Sequence, residues 1–271
     1  MARHSPIEQW IGAMDTATRN RIPTHQLHVG DYLWNTTILC LQVWNGFLWQ
    51  NICGGGGGAT KRGETEITVG NVPAGDTPAD CDFLDIGNGV GIAAALASVP
   101  AIGAHVYVRR GQYNLLNTVL VPANTDFQGA GVGSVLVAPA GAPAIRMVGQ
   151  DASVRGFKVE GILVTASSCL VEKNTVTGSH FAGITLDHVD FCMVEGNQIL
   201  NNASHGILLI NDSNMNIIEK NIVRANGGQG IRVNAPTEND NILDANILKG
   251  NVAPQLNDLG TDTEKVHIII V

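Results

Sequence analysis

Val171-Glu172-Lys173-Asn174-Thr175-Val176 is a phrase the chain repeats three more times. The copies are Val194-Glu195-Gly196-Asn197-Gln198-Ile199, Ile218-Glu219-Lys220-Asn221-Ile222-Val223 and Leu243-Asp244-Ala245-Asn246-Ile247-Leu248. The asparagines fall 23, 24 and 25 residues apart. Self-similarity at such a period marks a solenoid, whose repeats bury their apolar faces against their neighbours. A second phrase keeps step. Nine residues after each of the first three asparagines, a glycine opens an apolar alternation: Gly183-Ile184-Thr185-Leu186, Gly206-Ile207-Leu208-Leu209 and Gly230-Ile231-Arg232-Val233. The return from glycine to the next asparagine lengthens from 13 residues (Gly161 to Asn174) through 14 and 15 to 16 (Gly230 to Asn246). Counting back through Gly161-Ile162-Leu163-Val164 and Ala144-Ile145-Arg146-Met147 gives about five coils between residues 144 and 250.

The apolar positions alternate at period two in short Ile/Val-rich runs bounded by Asn and Gly, which is the strand signal. Helical repeats would need runs of about ten or more residues at period 3.6. Short strands of constant phase predict coils stacked in register ~4.8 Å apart, with like residues on like. One expected interior column is Ile145, Ile162, Ile184, Ile207, Ile231; another is Val154, Val171, Val194, Ile218, Leu243. The column Asn174, Asn197, Asn221, Asn246 is expected to form a ladder at a corner. Asn tolerates the left-handed backbone a sharp corner needs, and stacked amides bond along the column. Ala152, Cys169, Cys192, Asn216 and Asn241 align as well, so Cys169 and Cys192 are expected to be stacked neighbours, acting as small hydrophobes.

These residues resemble the right-handed single-stranded parallel β-helix of the pectate-lyase-like superfamily, which includes the β-helices of bacteriophage tailspikes. The resemblance covers about residues 79–255. It includes a short apolar helix at Gly91–Val99, then Val106-Tyr107-Val108 and the turn-rich Phe127–Ser134. In the family this region plugs the open end of the solenoid and begins its coils. The resemblance implies an all-β solenoid of about 22–25 residues per coil.

A net charge of −8 argues against a nucleic-acid backbone as partner. Charged residues are 15%, against ~25% in ordinary soluble domains, and 32 glycines accompany them. This reads as a chain with much surface covered in an oligomer. Met1–Asn20 has no apolar core, so no signal peptide is expected, and no apolar run reaches the ~18 residues of a membrane span. The five cysteines lack metal or redox spacing and are read as reduced thiols of a protein made in the host cytoplasm. No cofactor and no metal site are expected.

All four tryptophans, Trp10, Trp34, Trp44 and Trp49, precede residue 50. Residues 5–20 are expected to form a short helix, capped by Ser5 with Pro6 first and Ile7, Trp10, Ile11 and Met14 on one stripe. Asn45-Gly46 between aromatic runs predicts a β-hairpin. This aromatic unit resembles a module of phage tail and fibre proteins that packs against its own copies. Gly54–Gly58 reads as a flexible joint. The expected division is an attachment module over 1–53, a Gly-rich linker over 54–78 with a short strand at Glu66–Val69, a capping helix and first coils over 79–135, and the β-helix with a C-terminal strand over 136–271. The terminal Ile268–Val271 is expected to be buried, at a subunit interface or sealing the last coil.

Few motifs carry chemistry. The glycine run lacks the Gly-Lys-Ser/Thr ending of a phosphate loop. Phe83-Leu84-Asp85-Ile86-Gly87-Asn88-Gly89-Val90-Gly91 imitates a dinucleotide turn, but no strand–helix alternation follows. Asn202-Ala203-Ser204 fits the short glycosylation pattern, which recurs by chance. Ser204-His205-Gly206 resembles the Gly-His-Gly segment of polygalacturonase-type glycosidases on this fold. With Asp187 and Asp190 one coil earlier it would supply two carboxylates near a histidine. The family's Asn-Thr-Asp and paired-Asp segments are absent, and Arg232 is the one loose match to its later basic residue. The acid column Glu172, Glu195, Glu219, Asp244 reads as solvent-facing and relieved by Lys173 and Lys220.

The lengthening connections carry Asp187, Asp190, Asn211, Asp212, Asn214, Glu238, Asn239 and Asp240, a polar ridge on the edge where solenoids place binding loops. The sequence therefore reads as a tail-spike or tail-fibre-type virion protein, a homotrimer. Residues 1–53 would attach to other virion proteins, and the β-helix would face a host surface or glycan. A polysaccharide depolymerase, a glycoside hydrolase or lyase, and a head-decoration fibre are the alternatives.

Overall fold

The computed structural model describes residues 66–252 and 254–271, together with the backbone pairing of four strands before them. Those four are Trp10–Met14, Tyr32–Asn35, Cys40–Trp44 and Trp49–Asn51, a sheet in sequence order. The last two pair antiparallel with Trp44 opposite Trp49, so the hairpin expected around Asn45-Gly46 is present as strand pairing. The helix expected over residues 5–20 is not: Trp10–Met14 is a strand, parallel to Tyr32–Asn35. Gly12 costs a helix ~1 kcal/mol, and so short an apolar stripe cannot sustain one alone. Trp10 and Ile11 favour strands, and the hairpin edge offers them pairing. Ser5, Pro6, Ile7 and the Gly54–Gly58 joint lie outside the described residues.

From residue 66 onward the chain is a right-handed parallel β-helix with three faces. Face I runs through Ala104–Val108, Thr125–Gly129, Ser153–Arg155, Leu170–Glu172, Met193–Glu195, Ile217–Glu219, Ile242–Asp244 and Glu264–Val266. Face II runs from Gly111–Asn114 to Ile269–Ile270, and face III from Val119–Val121 to Leu256–Asp258. They hold 10, 8 and 7 strands. The coils are about seven, and two begin before residue 144, where the repeat fades from the sequence. Face I also takes in Glu66–Asn71, parallel to Ala104–Val108, so the solenoid begins inside the stretch read as linker.

Both expected columns are in register. Ile145, Ile162, Ile184, Ile207 and Ile231 are paired neighbours, as are Val154, Val171, Val194, Ile218 and Leu243, and all are buried. Each such side chain contributes ~1.5–3 kcal/mol of burial. The recurring glycine of the second phrase is a matter of close approach. A Cβ on Gly206 would lie 2.2 Å from Val223 Cγ1 and 2.5 Å from Gly230 O.

The top of the stack is closed by helix α1, Val90–Ala97, which buries Gly91, Ile92, Ala95 and Leu96. Asp85, fully buried, accepts from Gly87, Asn88 and Gly89 N–H through one oxygen and from Gly91 and Ile92 N–H through the other. The chain's own carboxylate thus fills the site that a phosphate would need at this dinucleotide-like turn. At the other end Ile269–Ile270 extends face II by pairing with Ile247 and Leu248. Ile268 packs against the core, whereas Ile269, Ile270 and Val271 are exposed in this chain rather than buried within it.

Candidate functional site

The corner between faces I and II is built the same way in coil after coil: one residue with left-handed backbone, then one pointing inward. The inward residues include Asn174, Asn197, Asn221 and Asn246. The Oδ1 of each accepts the backbone N–H of the residue one coil above, Phe157 in the case of Asn174. The Oδ1 of Asn197, Asn221 and Asn246 also takes the Nδ2 of the asparagine above, at 3.0–3.2 Å. Each Nδ2 further donates to a face I carbonyl above it: Val154, Val171, Val194 and Ile218. The ladder is as expected, with one correction. The left-handed residue is the one before the asparagine: Lys173 (φ 54), Gly196 (φ 64), Lys220 (φ 55) and Ala245 (φ 50). An amide that bonds both inward and along the stack needs the strand side of the corner, so the preceding residue makes the bend.

That bend also relieves the acid column. Lys173 Nζ reaches Glu172 at 2.7 Å, and Lys220 Nζ bridges Glu195 at 2.9 Å and Glu219 at 2.7 Å. The Lys220 hydrogen bond holds the half-buried Glu195 below its ordinary value. Asp244 meets His267 at 3.1 Å.

A second ladder, unread in the sequence, lines the corner between faces II and III: Asn202, Asn226 and Asn251, with Ser179 above and Gln255 below. Its signal was available five residues after each asparagine of the first. Asn202 is therefore a buried ladder member and no glycosylation acceptor. The third corner carries Asn216 and Asn241, which bond likewise. Above them Cys192 N–H donates to Asn216 Oδ1, and Cys169 N–H to Cys192 Sγ at 3.4 Å, so the two thiols are stacked. Their shared hydrogen bond, then burial, push the Cys192 thiol up.

The third corner differs in its connections. Counted from the register-matched face III positions Val164, Leu186, Leu209 and Val233, the way to face I takes residues 165–169, then 187–192, 210–216 and 234–241, one residue more per coil, before returning to 259–263. This is the expected ridge. Asp187 Oδ1 accepts from Asn211 Nδ2 at 2.8 Å. Asp190, Asn214 and Asn239 stack as an outer ladder: Asp190 Oδ1 takes Asn214 N–H at 3.0 Å, and Asn214 Oδ1 takes Asn239 N–H at 2.6 Å. Asn211 and Asp212 are consecutive left-handed residues at the tip, and Asp240 is exposed. Glu238 is not a surface ligand: it is 1% exposed, and its carboxylate accepts Ala235 and Asp212 N–H to hold the longest connection closed.

His205 is not brought to Asp187 and Asp190. It precedes the face III strand Ile207–Ile210, whose far end, Ile210, pairs with Asp187. A strand length, ~16 Å at ~3.3 Å per residue, separates it from the carboxylates. His205 Nδ1 instead accepts Gln229 N–H at 3.0 Å, beside Arg232. Burial, then the Arg232 charge, hold it below its ordinary value, as a neutral acceptor. The acid–histidine set of a glycosidase is not assembled here.

A family model described as periplasmic copper-binding protein (NosD) matches residues 143–264, the coils that carry the repeat. Copper needs converging soft or imidazole donors. Among the described residues no group of three or more His, Cys, Asp or Glu is placed to hold a metal ion. The stacked thiols face backbone carbonyls, so the residues present do not fit a copper site. No curated protein sequence matches the chain. Among solved structures, ORF18 of Geobacillus virus E2 matches over 96% of this chain and 61% of its own, at 15% identity and a TM-score of 0.60. The A-module of mannuronan C-5 epimerase AlgE4 from Azotobacter vinelandii matches over 73% of this chain and 76% of its own, at 15% identity and a TM-score of 0.52. A tailspike protein, gp49 of Acinetobacter baumannii bacteriophage Fri1, a capsular polysaccharide depolymerase, covers 96% of this chain and 69% of its own at 8% identity and a TM-score of 0.46. The chain thus spans 61% of the length of the Geobacillus virus protein. What the likenesses to the Geobacillus virus protein and the epimerase module establish is the fold, a parallel β-helix.

Proposed function

We propose that the chain is a structural protein of a virion appendage of the tail-spike or tail-fibre type, with the β-helix turned outward as a glycan-binding surface. In this reading residues 1–53, with Trp10, Trp34, Trp44 and Trp49, attach to other virion proteins, and three copies associate. The observation that carries it is the ridge between faces III and I. From residue 175 onward two corners repeat with connections of constant length, while the third lengthens coil by coil and presents Asp187, Asp190, Asn211, Asp212, Asn214 and Asp240 to solvent. Solenoids vary their connections on the face that binds. The likeness in fold to a Geobacillus virus protein, over 96% of this chain, supports the appendage reading.

The test is retention of the full chain on an array of bacterial capsular and O-antigen polysaccharides, with the length of the bound glycan followed in parallel. Retention without shortening is the expected result. Shortening that is lost in Asp187→Asn with Asp190→Asn would replace the binding role with a depolymerase. Light scattering should give three times the 28.6 kDa of one chain, and a stable monomer would remove the trimer.

A further inference from the structure

The left-handed position of the ridge corner is filled, coil by coil, by Asp151, Ser168, Phe191, Met215, Asp240 and Asp262. Aspartate and serine suit it, because short polar side chains tolerate this backbone. Phe191 (φ 58) and Met215 (φ 54) do not, and a bulky residue there is an outlier. Both are also exposed, Phe191 at 62% and Met215 at 41%. Backbone strain and apolar exposure meet at one position, and such outliers collect at ligand sites.

Resting on the glycan-binding reading above, the geometry points to Phe191 and Met215 as the platform on which a neutral or amino-sugar pyranose ring stacks. Adjacent rungs at ~4.8 Å make the shelf about two coils tall, the footprint of a sugar unit or two. Two residues further along each coil, Met193 and Ile217 also face outward and are half-buried, widening the shelf. Polar groups flank it at hydroxyl height. Asp190 precedes Phe191 and Asn214 precedes Met215, and Asp190 Oδ2 accepts no protein hydrogen bond among the described residues. An aromatic face with carboxylate and amide rims suits a sugar's apolar C–H face and equatorial hydroxyls.

The charges narrow the ligand class. Asp187, Asp190, Asp212 and Asp240 lie along the ridge beside it. A polyanionic uronate or sulfate chain would be repelled, whereas hydroxyls or an ammonium would not. A second copy of this chain is a poorer occupant. Four side chains fall far short of the ~800 Å² per partner of a stable interface, and a symmetric copy would bring acids against acids.

The experiment compares the full chain with Phe191→Asn, Phe191→Trp and Met215→Ser on the polysaccharide array, sorted into neutral, amino-sugar and uronate-containing members. The wild type should be retained by neutral or amino-sugar members. Phe191→Asn should lower that retention at least tenfold while raising the thermal unfolding midpoint, since Asn fits the left-handed backbone and no ring is left exposed. Phe191→Trp should keep retention. Retention within twofold of wild type in Phe191→Asn overturns the platform and leaves the glycan-binding reading standing. So does wild-type retention confined to uronate members, or a lowered unfolding midpoint in Phe191→Asn. A changed oligomer mass in Phe191→Asn would reassign the shelf to a subunit contact. A wild type retained by no member would remove the glycan reading itself.

Discussion

The two corners that flank face I are made from the same two moves, a left-handed residue and an inward one, and they put them to different use. At the corner with face II nothing lies outside those moves: Lys173-Asn174, Gly196-Asn197, Lys220-Asn221 and Ala245-Asn246 turn the chain in the least length available. At the corner with face III the same pair is preceded by a connection that grows. Face I nevertheless restarts in register after every connection, because Met193, Ile217 and Ile242 pair regardless of what came before. Extra residues are absorbed outside the stack. Register is therefore held by the faces and the amide ladders, and the ridge is free to carry side chains, such as Phe191, that the fold itself does not require.

The largest way to break that contrast is at the tight corner. Asn197→Ala removes the acceptor for Asn174 N–H and Nδ2, and the donor to Val171 O and Asn221 Oδ1. Each orphaned buried group costs ~1–3 kcal/mol, so a loss of about 3 kcal/mol or more is expected in denaturant unfolding. A loss under ~1 kcal/mol would mean the ladder follows the fold without supporting it. Glu238→Ala should cost about 2 kcal/mol by freeing Ala235 and Asp212 N–H. Any glycan retention lost with it should track stability, because the carboxylate is internal.

A gain is expected where the third corner's ladder is incomplete. Cys192→Asn would place Nδ2 beside Asn216 Oδ1 and beside Ala166 O, the carbonyl that Cys192 Sγ already faces at 3.5 Å. Its Oδ1 would take Cys169 N–H in place of sulfur. Completing these bonds should add ~1 kcal/mol to unfolding. A destabilised variant would show that the corner is packed for sulfur. By contrast, Asn211→Ala at the ridge tip should move stability by no more than ~0.5 kcal/mol while lowering glycan retention. Equal retention would confine binding to the shelf.

What the sequence showed of all this follows from what repeats. The interior columns and the first ladder recur in every coil from 171 onward, so spacing alone assigned their register. The second ladder repeats almost as well, but Ser179 stands where an asparagine would complete it, and Asn202 also fits a short glycosylation pattern that draws the eye from its column. The third aligns as a column, but with Cys169 and Cys192 above Asn216 and Asn241 its bonding as a ladder does not show. Which residue of the tight corner is left-handed was misread because the tolerance of asparagine for that backbone is a preference, and the ladder bonds outweigh it. Glu238 and Phe191 were illegible for another reason. Each occurs once, and a pattern reading places acids outside and rings inside.

The smallest effect separates His205 from the ridge it was grouped with. In the unfolded chain its imidazole titrates near 6.5; in the folded chain burial and Arg232 hold it lower. Between those two values the unfolded state binds more protons, so stability rises with pH across that window and falls as the solution is acidified through it. Above about 6.5 the group contributes no slope. His205→Gln keeps an acceptor for Gln229 N–H and cannot charge. The difference in urea midpoint between variant and wild type should therefore be flat at neutral pH and grow in the variant's favour on acidification. An identical slope in both chains would place His205 in solvent. Glycan retention should be untouched by the change, because a strand's length of face III lies between this histidine and the ridge.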